Sequence, residues 1–218
     1  MFPDFLKSLV LRLLDPVTAA LVRRRVHPNV LTTLGFLVTL AAALGFFLDA
    51  VRLAGLVVIL AGIFDILDGR VARETGLASK FGSFYDSTLD RISELVIYCS
   101  LISVFLDSPY PWMTYVTFAA AGGALMVSYT RARAEALGIP CKVGMMQRPE
   151  RVVGLGLGAM LGLEPLLVVL ALLAVLSTFT AIERIFAVYA VARAVPLEGT
   201  IPAERLAGRP PRTVSGRD

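Results

Sequence analysis

The chain has 218 residues, 56% of them hydrophobic and only 17% charged, with 21 Lys and Arg against 17 Asp and Glu. Its mean hydropathy is +0.74. A soluble domain would be about half apolar and about a quarter charged, so this composition excludes an ordinary water-soluble enzyme or nucleic-acid binder and points to one compact domain with several membrane spans.

The N-terminal stretch MFPDFLKSLVLRLLDPVTAALVRRR carries Asp4, Lys7, Arg12 and Asp15 among its apolar residues. It therefore lacks the uninterrupted apolar centre of a cleavable signal. Phe2, Phe5, Leu6, Leu9, Val10, Leu13 and Leu14 recur at helical spacing, which predicts an amphipathic helix over residues 1–26, lying in the membrane interface. His27, beside Arg23, Arg24 and Arg25, reads as an interfacial side chain.

Six spanning helices are predicted next: Asn29 to Leu48, Leu53 to Glu74, Phe84 to Leu106, Trp112 to Ala136, Pro149 to Leu163, and Leu166 to Val195. Most approach the ~20 residues that cross a bilayer core. The fifth is short, and four of the others run past the core at charged ends. The expected fold is an all-α integral membrane bundle of six spans plus the interfacial helix. Residues 27–195 form the membrane domain, and residues 196–218 a polar, Pro/Gly-rich, disordered tail. Two cysteines, Cys99 and Cys141, have no metal-ligand spacing and no expected disulfide.

Charge distribution sets the sidedness. The turns DAVR, DSPYPW and LEP hold Arg52 alone among the Lys and Arg residues. The opposite ends hold Arg23 to Arg25, Arg70, Arg73, Lys80, Arg131, Arg133, Lys142, Arg148 and Arg151. By the positive-inside rule that side and both termini are cytoplasmic in a multi-pass protein of the cell membrane. Tyr110, Trp112 and Tyr115 suit an aromatic belt at the outer face. The small-residue runs AAAGGA and GLGLGAMLG suit close helix packing, within the chain or across a homodimer.

The chemistry concentrates in DILDGRVARETGLASKFGSFYDSTLD, from Asp65 to Asp90. Asp65 and Asp68 share one helix face, and Asp86 and Asp90 share a face of the next helix. The short TGLASK connection makes these helices antiparallel neighbours, so four carboxylates meet at one cytoplasmic end. Each charge at membrane depth costs at least ~2.5 kcal/mol, and mutual repulsion adds to that cost. Oxygen-only ligands favour hard divalent cations, and two such ions form a clamp used in phosphoryl transfer. Salt bridges to Arg70, Arg73 and Arg91 would account for one or two of the aspartates. A divalent-cation transporter is a reading of another class. Its site would lie near the midplane of repeated halves, and no repeat is visible here.

Written as Asp65-x2-Asp68-Gly69-x2-Ala72-Arg73-x8-Gly82-x3-Asp86-x3-Asp90, the stretch resembles the CDP-alcohol phosphotransferase signature at every fixed position. HPNVLTTLG, residues 27–35, is similar to that family's opening of the first span. The resemblance implies six spans, a homodimer, a CDP-linked lipid donor (CDP-diacylglycerol or an archaeal counterpart), an alcohol acceptor and CMP as leaving group. It implies two Mg²⁺ or Mn²⁺ ions held by Asp65, Asp68, Asp86 and Asp90, with Asp90 also the general base. Asn29, Thr32, Asp68, Gly69, Ala72, Arg73 and Gly82 would line the CDP-lipid pocket.

Arg131, Arg148, Arg151 and Arg184 gather more positive charge on one face than topology requires, and arginine suits bidentate phosphate recognition. The acceptor is therefore expected to carry a phosphate, with Glu150 and Glu183 as candidate partners of these arginines. Binding of anionic lipid head groups is the alternative use of such residues. RPER following RARAEA resembles the family's phosphatidylinositol phosphate synthases, which use inositol 1-phosphate, although Arg131 stands where that resemblance leads to a lysine. Glycerol 3-phosphate, giving phosphatidylglycerophosphate, is the alternative acceptor.

Overall fold

The computed structural model describes residues 4–193. Residues 1–3 of the interfacial segment and the whole tail from residue 196 lie outside the described residues. Among the described residues there are seven α-helices: α1 (Asp4–Arg23), α2 (Pro28–Phe47), α3 (Val51–Thr75), α4 (Lys80–Leu106), α5 (Met113–Ala136), α6 (Arg148–Leu161) and α7 (Leu163–Ala192). Two of them, α2 and α7, are long and apolar enough to cross a membrane on length and composition alone. α3, α4 and α5 are 25, 27 and 24 residues long, and they carry the charged ends on which the site is built.

α1 uses two faces. Leu14, Leu21 and Val22 pack on the buried Leu31, Leu67 and Val71 of α2 and α3. Phe5, Leu9, Leu13 and Val17 stay exposed at helical spacing, as an interfacial helix requires. Arg70 of α3 ties α1 down, donating to the Leu11 carbonyl at 2.8 Å and to Asp15 Oδ1 at 2.6 Å. Pro16 follows that turn and has no N–H to close the helix ladder.

Local chemistry sets the helix ends. His27 caps α2: its Nδ1 accepts from the Asn29 N–H at 3.2 Å, and Pro28 opens the first turn. α3 stops at Gly76, whose φ of +69° suits a residue without Cβ. Ser79 then starts α4 by accepting the Gly82 N–H at 3.0 Å. This cap lets α4 begin at Lys80, four residues before the apolar pattern marks a span. α7 likewise begins at Leu163, because Gly162 with φ +117° makes the whole turn from α6.

Small residues bring the helices together. α3 packs on α2 and α6, α5 on α7, and α2 also on α4. A Cβ at Gly55 would lie 2.6 Å from the Gly156 carbonyl and 2.7 Å from the Ala159 Cβ. Gly123 meets Ser177 and Thr178 in the same way. The core between them holds Ala42, Phe46, Tyr98, Leu101, Phe105 and Met113. Large apolar residues cover the outside, including Leu37, Leu44, Phe118, Val175 and Phe179, a surface suited to lipid rather than water.

At the end of the bundle away from the aspartates, Tyr110 donates to Glu164 at 2.6 Å. That bond holds the Tyr110 hydroxyl above its usual pKa. Trp112 and Tyr115 are exposed beside it. Cys99 is exposed on α4 and Cys141 is buried after α5, both as free thiols.

The α3–α6 contact yields a direct test. Gly55→Ala forces α3 off the α6 backbone, and overpacking of this kind costs about 1–3 kcal/mol. The expected outcome is a lowered melting temperature of the detergent-solubilised protein. A Gly122→Ala control, with no atom within 4 Å of the added Cβ, leaves it unchanged.

Candidate active site

Two antiparallel helices and a third across them build the site. α3 carries Asp65 and Asp68 in its last turns, α4 carries Asp86 and Asp90 in its first turns, and α2 packs on both. The carboxylates act on one another electrostatically: Asp86 on Asp65, Asp68 and Asp90, and Asp65 on Asp68 and Asp90. All four therefore belong to one cluster.

α2 shapes the near wall. Thr32 donates to Asp68 Oδ2 at 2.7 Å, and Asp68 is 5% exposed. Thr33 and the Tyr85 hydroxyl share a 2.9 Å bond that joins α2 to α4. A Cβ at Gly82 would stand 3.2 Å from Asn29 Oδ1, so the glycine lets the Asn29 side chain lie against α4. On α3 the Arg73 guanidinium folds over Gly69, 3.3 Å from where a Cβ would sit. Ala72 is half-buried one turn beyond Asp68. An open groove of about 390 Å³ adjoins this wall, lined by Asn29, Val30, Thr33, Leu34, Phe81 and Tyr85. The rings of Phe81 and Tyr85 stack there at 5.8 Å. Of these residues Thr32 touches the acidic cluster directly, and Asn29, Gly69, Ala72, Arg73 and Gly82 lie within two helical turns of Thr32 or an aspartate along α2, α3 and α4.

The arginines divide into two groups. Arg148, expected with the phosphate-binding set, turns to the aspartates. Its Nη1 donates to Asp65 Oδ2 at 2.5 Å and its Nη2 pairs with Asp90 Oδ1 at 2.9 Å. Asp90 Oδ2 also lies 3.7 Å from Arg91. Arg70, weighed above as a partner of the aspartates, is taken by Asp15. The physical reason is reach: Arg148 opens α6, which packs on α3, and its long side chain spans the gap to α4.

Arg151, one turn deeper, is fully buried and bonds both oxygens of Glu94, Nε to Oε1 at 2.7 Å and Nη2 to Oε2 at 2.8 Å. Its Nη1 donates to the Met146 carbonyl at 3.1 Å. Arg184 donates to the carbonyls of Val143, at 2.9 Å, and Val127. Thr180 accepts the Met146 N–H at 3.3 Å. Gly144, with φ +106°, passes so close to Thr180 that a Cβ would clash. These bonds moor the α5–α6 connection to α4, α5, α6 and α7. Arg131 sits exposed beside it, bonded to Glu135 at 2.9 Å. Arg184 is within electrostatic reach of Arg131 and Arg151, so these three form a second, cationic centre next to the acidic one.

Glu94 is the residue the sequence reading missed. It pairs with Arg151, whereas the sequence named Glu150 and Glu183 as candidate partners of the arginine set. The signal was present: Glu94 lies four residues after Asp90 and eight after Asp86, on the same helix face.

The donor set suits a hard divalent cation, since its carboxylates supply only oxygen. The Arg148 guanidinium already stands between Asp65 and Asp90 as a positive stand-in. Among the described residues, no three carboxylate, histidine or cysteine side chains close around one point in this arrangement. Arg148 holds two of the candidate ligands instead.

The sequence profile of the CDP-alcohol phosphatidyltransferase family matches residues 25–195. The archaetidylinositol phosphate synthase of Pyrococcus horikoshii is 40% identical over 141 residues, 64% of this chain and 72% of that protein. The crystal structure of Mycobacterium tuberculosis phosphatidylinositol phosphate synthase with CDP-DAG bound superposes with a TM-score of 0.74 at 32% identity, covering 82% of this chain and 94% of that one. The same enzyme in complex with manganese and citrate gives a TM-score of 0.72 at 32% identity, covering 80% and 88%.

The buried Glu94–Arg151 pair can be tested by stability. Removing one partner of such a pair costs roughly 3–5 kcal/mol, because the other charge is left unpaired. Glu94→Gln should therefore lower the melting temperature strongly. The double variant Glu94→Gln, Arg151→Met should lose less than Glu94→Gln alone, measured by thermal unfolding in detergent.

Proposed function

Starting from the fact that the chain belongs to the CDP-alcohol phosphatidyltransferase family, we propose that it transfers a phosphatidyl group from CDP-diacylglycerol to inositol 1-phosphate, releasing CMP and forming phosphatidylinositol phosphate. One observation carries this reading: the aspartates of the signature stretch meet at one end of α3 and α4, walled by α2 and flanked by a separate arginine centre. A reaction between a pyrophosphate donor and a phosphorylated acceptor needs two such neighbouring sites.

Asp65, Asp68, Asp86 and Asp90 are the residues that would hold two Mg²⁺ or Mn²⁺ ions. Bound there, such ions neutralise the pyrophosphate and stabilise charge on the departing CMP. The chain's own groups supply the rest. Asp90, beside Arg91, takes the proton from the acceptor hydroxyl. The hydroxyl oxygen then bonds to the lipid-side phosphorus as the phosphorus–oxygen bond to CMP breaks. Thr32 fixes Asp68, and Asn29, Gly69, Ala72, Arg73 and Gly82 bound the space for the CDP group. Arg131 and Arg184, with Arg151 held behind them by Glu94, form the acceptor-phosphate pocket, and Arg148 lies where the two sites meet.

The membrane arrangement belongs to the same proposal. Helices α2 to α7 are six spans, residues 27–195 are the membrane domain, and residues 1–26 lie in the interface. The end of the bundle that holds the aspartates also holds Arg23 to Arg25, Arg70, Arg73, Lys80, Arg131 and Arg133, against Arg52 at the other. This bias favours a cytoplasmic site and cytoplasmic termini in the cell membrane. A homodimer is proposed on the same family ground.

The purified protein with CDP-diacylglycerol should release CMP on addition of inositol 1-phosphate and much less with glycerol 3-phosphate. The reverse preference would reassign the acceptor. Asp86→Asn should abolish CMP release in folded protein, since it removes one ligand charge. Arg131→Ala and Arg184→Ala should raise the acceptor KM with little change in donor KM. A fall in donor affinity alone would contradict this division of the site.

A further inference from the structure

Arg148 and Arg151 lie one turn apart on α6 and both reach toward α4, yet they are bonded very differently. Every guanidinium nitrogen of Arg151 has a partner, and its side chain is 1% exposed. Arg148 bonds through its two terminal nitrogens alone; its buried Nε has no partner, and its side chain is 22% exposed. Arg151 is locked in the bundle, whereas Arg148 is held at its tip. It is the first residue of α6, so its side chain can turn without the helix moving. A cavity of about 30 Å³ lies beside it, lined in part by Thr39, Asp65, Ser93, Glu94 and Arg148.

We propose that Arg148 is the resident counter-cation of the acidic cluster, that it competes with divalent ions for the same Asp65 and Asp90 oxygens, and that ion loading releases it toward the incoming phosphate. The inference rests on the reading of Asp65 and Asp90 as ion ligands. The oxygens that Arg148 occupies are Asp65 Oδ2 and Asp90 Oδ1. A cation that takes them must displace the guanidinium, which then loses both of its carboxylate bonds; Glu94, within its electrostatic reach, is already bonded through both oxygens to Arg151. An added phosphate is then the group that can re-pair it. Ion binding and phosphate binding are thereby coupled, and by linkage each strengthens the other. In the ion-free protein Arg148 does a different job: it keeps carboxylates of α3 and α4 from driving those helices apart.

The experiment is Mn²⁺ titration followed by electron paramagnetic resonance, on purified protein in detergent without substrate. Arg148→Gln should bind Mn²⁺ about tenfold more tightly than wild type, equivalent to about 1.4 kcal/mol. Arg148→Lys, which keeps a charge but not the two-pronged grip, should fall between them. In EDTA, Arg148→Gln should melt below the wild type, and Mn²⁺ should restore it. Saturating Mn²⁺ should tighten inorganic phosphate binding in the wild type and much less in Arg148→Gln. Equal or weaker Mn²⁺ binding by both variants overturns the competition, as does full phosphate coupling in Arg148→Gln for the release. Where Arg148→Gln fails to fold, the Arg148→Lys affinity decides alone. If neither wild type nor Asp65→Asn binds Mn²⁺, the ion site of the proposed function falls as well. Loss of binding in Asp65→Asn alone keeps that site while the Arg148 variants decide the switch.

Discussion

The constraint on which the structure depends is the cost of negative charge inside an apolar bundle. Asp65, Asp68, Asp86, Asp90 and Glu94 all lie on inward faces of two neighbouring helices. Charges taken from water must be paired or hydrogen-bonded, or the bundle loses more than it gains from packing. Four of the five meet this demand in three ways. Glu94 is paired for good with Arg151. Asp68 is hydrogen-bonded by Thr32. Asp65 and Asp90 share Arg148. The Glu94–Arg151 pair is the most completely bonded, while Asp65 and Asp90, which are less buried, keep capacity for a further cation.

The same principle explains the irregular connection between α5 and α6. A connection packed against a bundle carries backbone groups that must find partners there. Here side chains satisfy them: Arg184 bonds Val143 and Val127, Arg151 bonds Met146, and Thr180 accepts the Met146 N–H. The arginines that seemed free for a ligand are therefore partly committed to the backbone. This commitment also makes the cationic centre rigid, and a preorganised pocket binds an anion with less loss of freedom.

Close packing lets long polar side chains work across the bundle. Gly55 against Gly156 and Gly123 against Ser177 draw helix pairs together, as small residues do where lipid removes the hydrophobic driving force. α6, only 14 residues long, is carried close to α3, and its arginines can therefore reach α4. An α6 held further out by larger residues would leave Asp65 and Asp90 without their shared partner.

The linear pattern already determined the helices and the placing of the four aspartates, with Gly69, Ala72, Arg73 and Gly82 beside them along the chain. These follow from period and spacing, because two residues three or four apart on a helix share a face in any helical fold. That α3 and α4 each pack on α2 rather than on one another was not legible. Helix ends were less legible. The Ser79 cap and the Gly162 turn are decided by single hydrogen bonds and one backbone angle, which apolar periodicity does not report. The partners of the arginines were decided by tertiary structure alone. Arg148 and Asp65 are 83 residues apart, and Arg151 and Glu94 are 57 apart. Which long side chain reaches which carboxylate depends on how closely α6 lies against α3 and how far it stands from α4, a distance that no local pattern encodes.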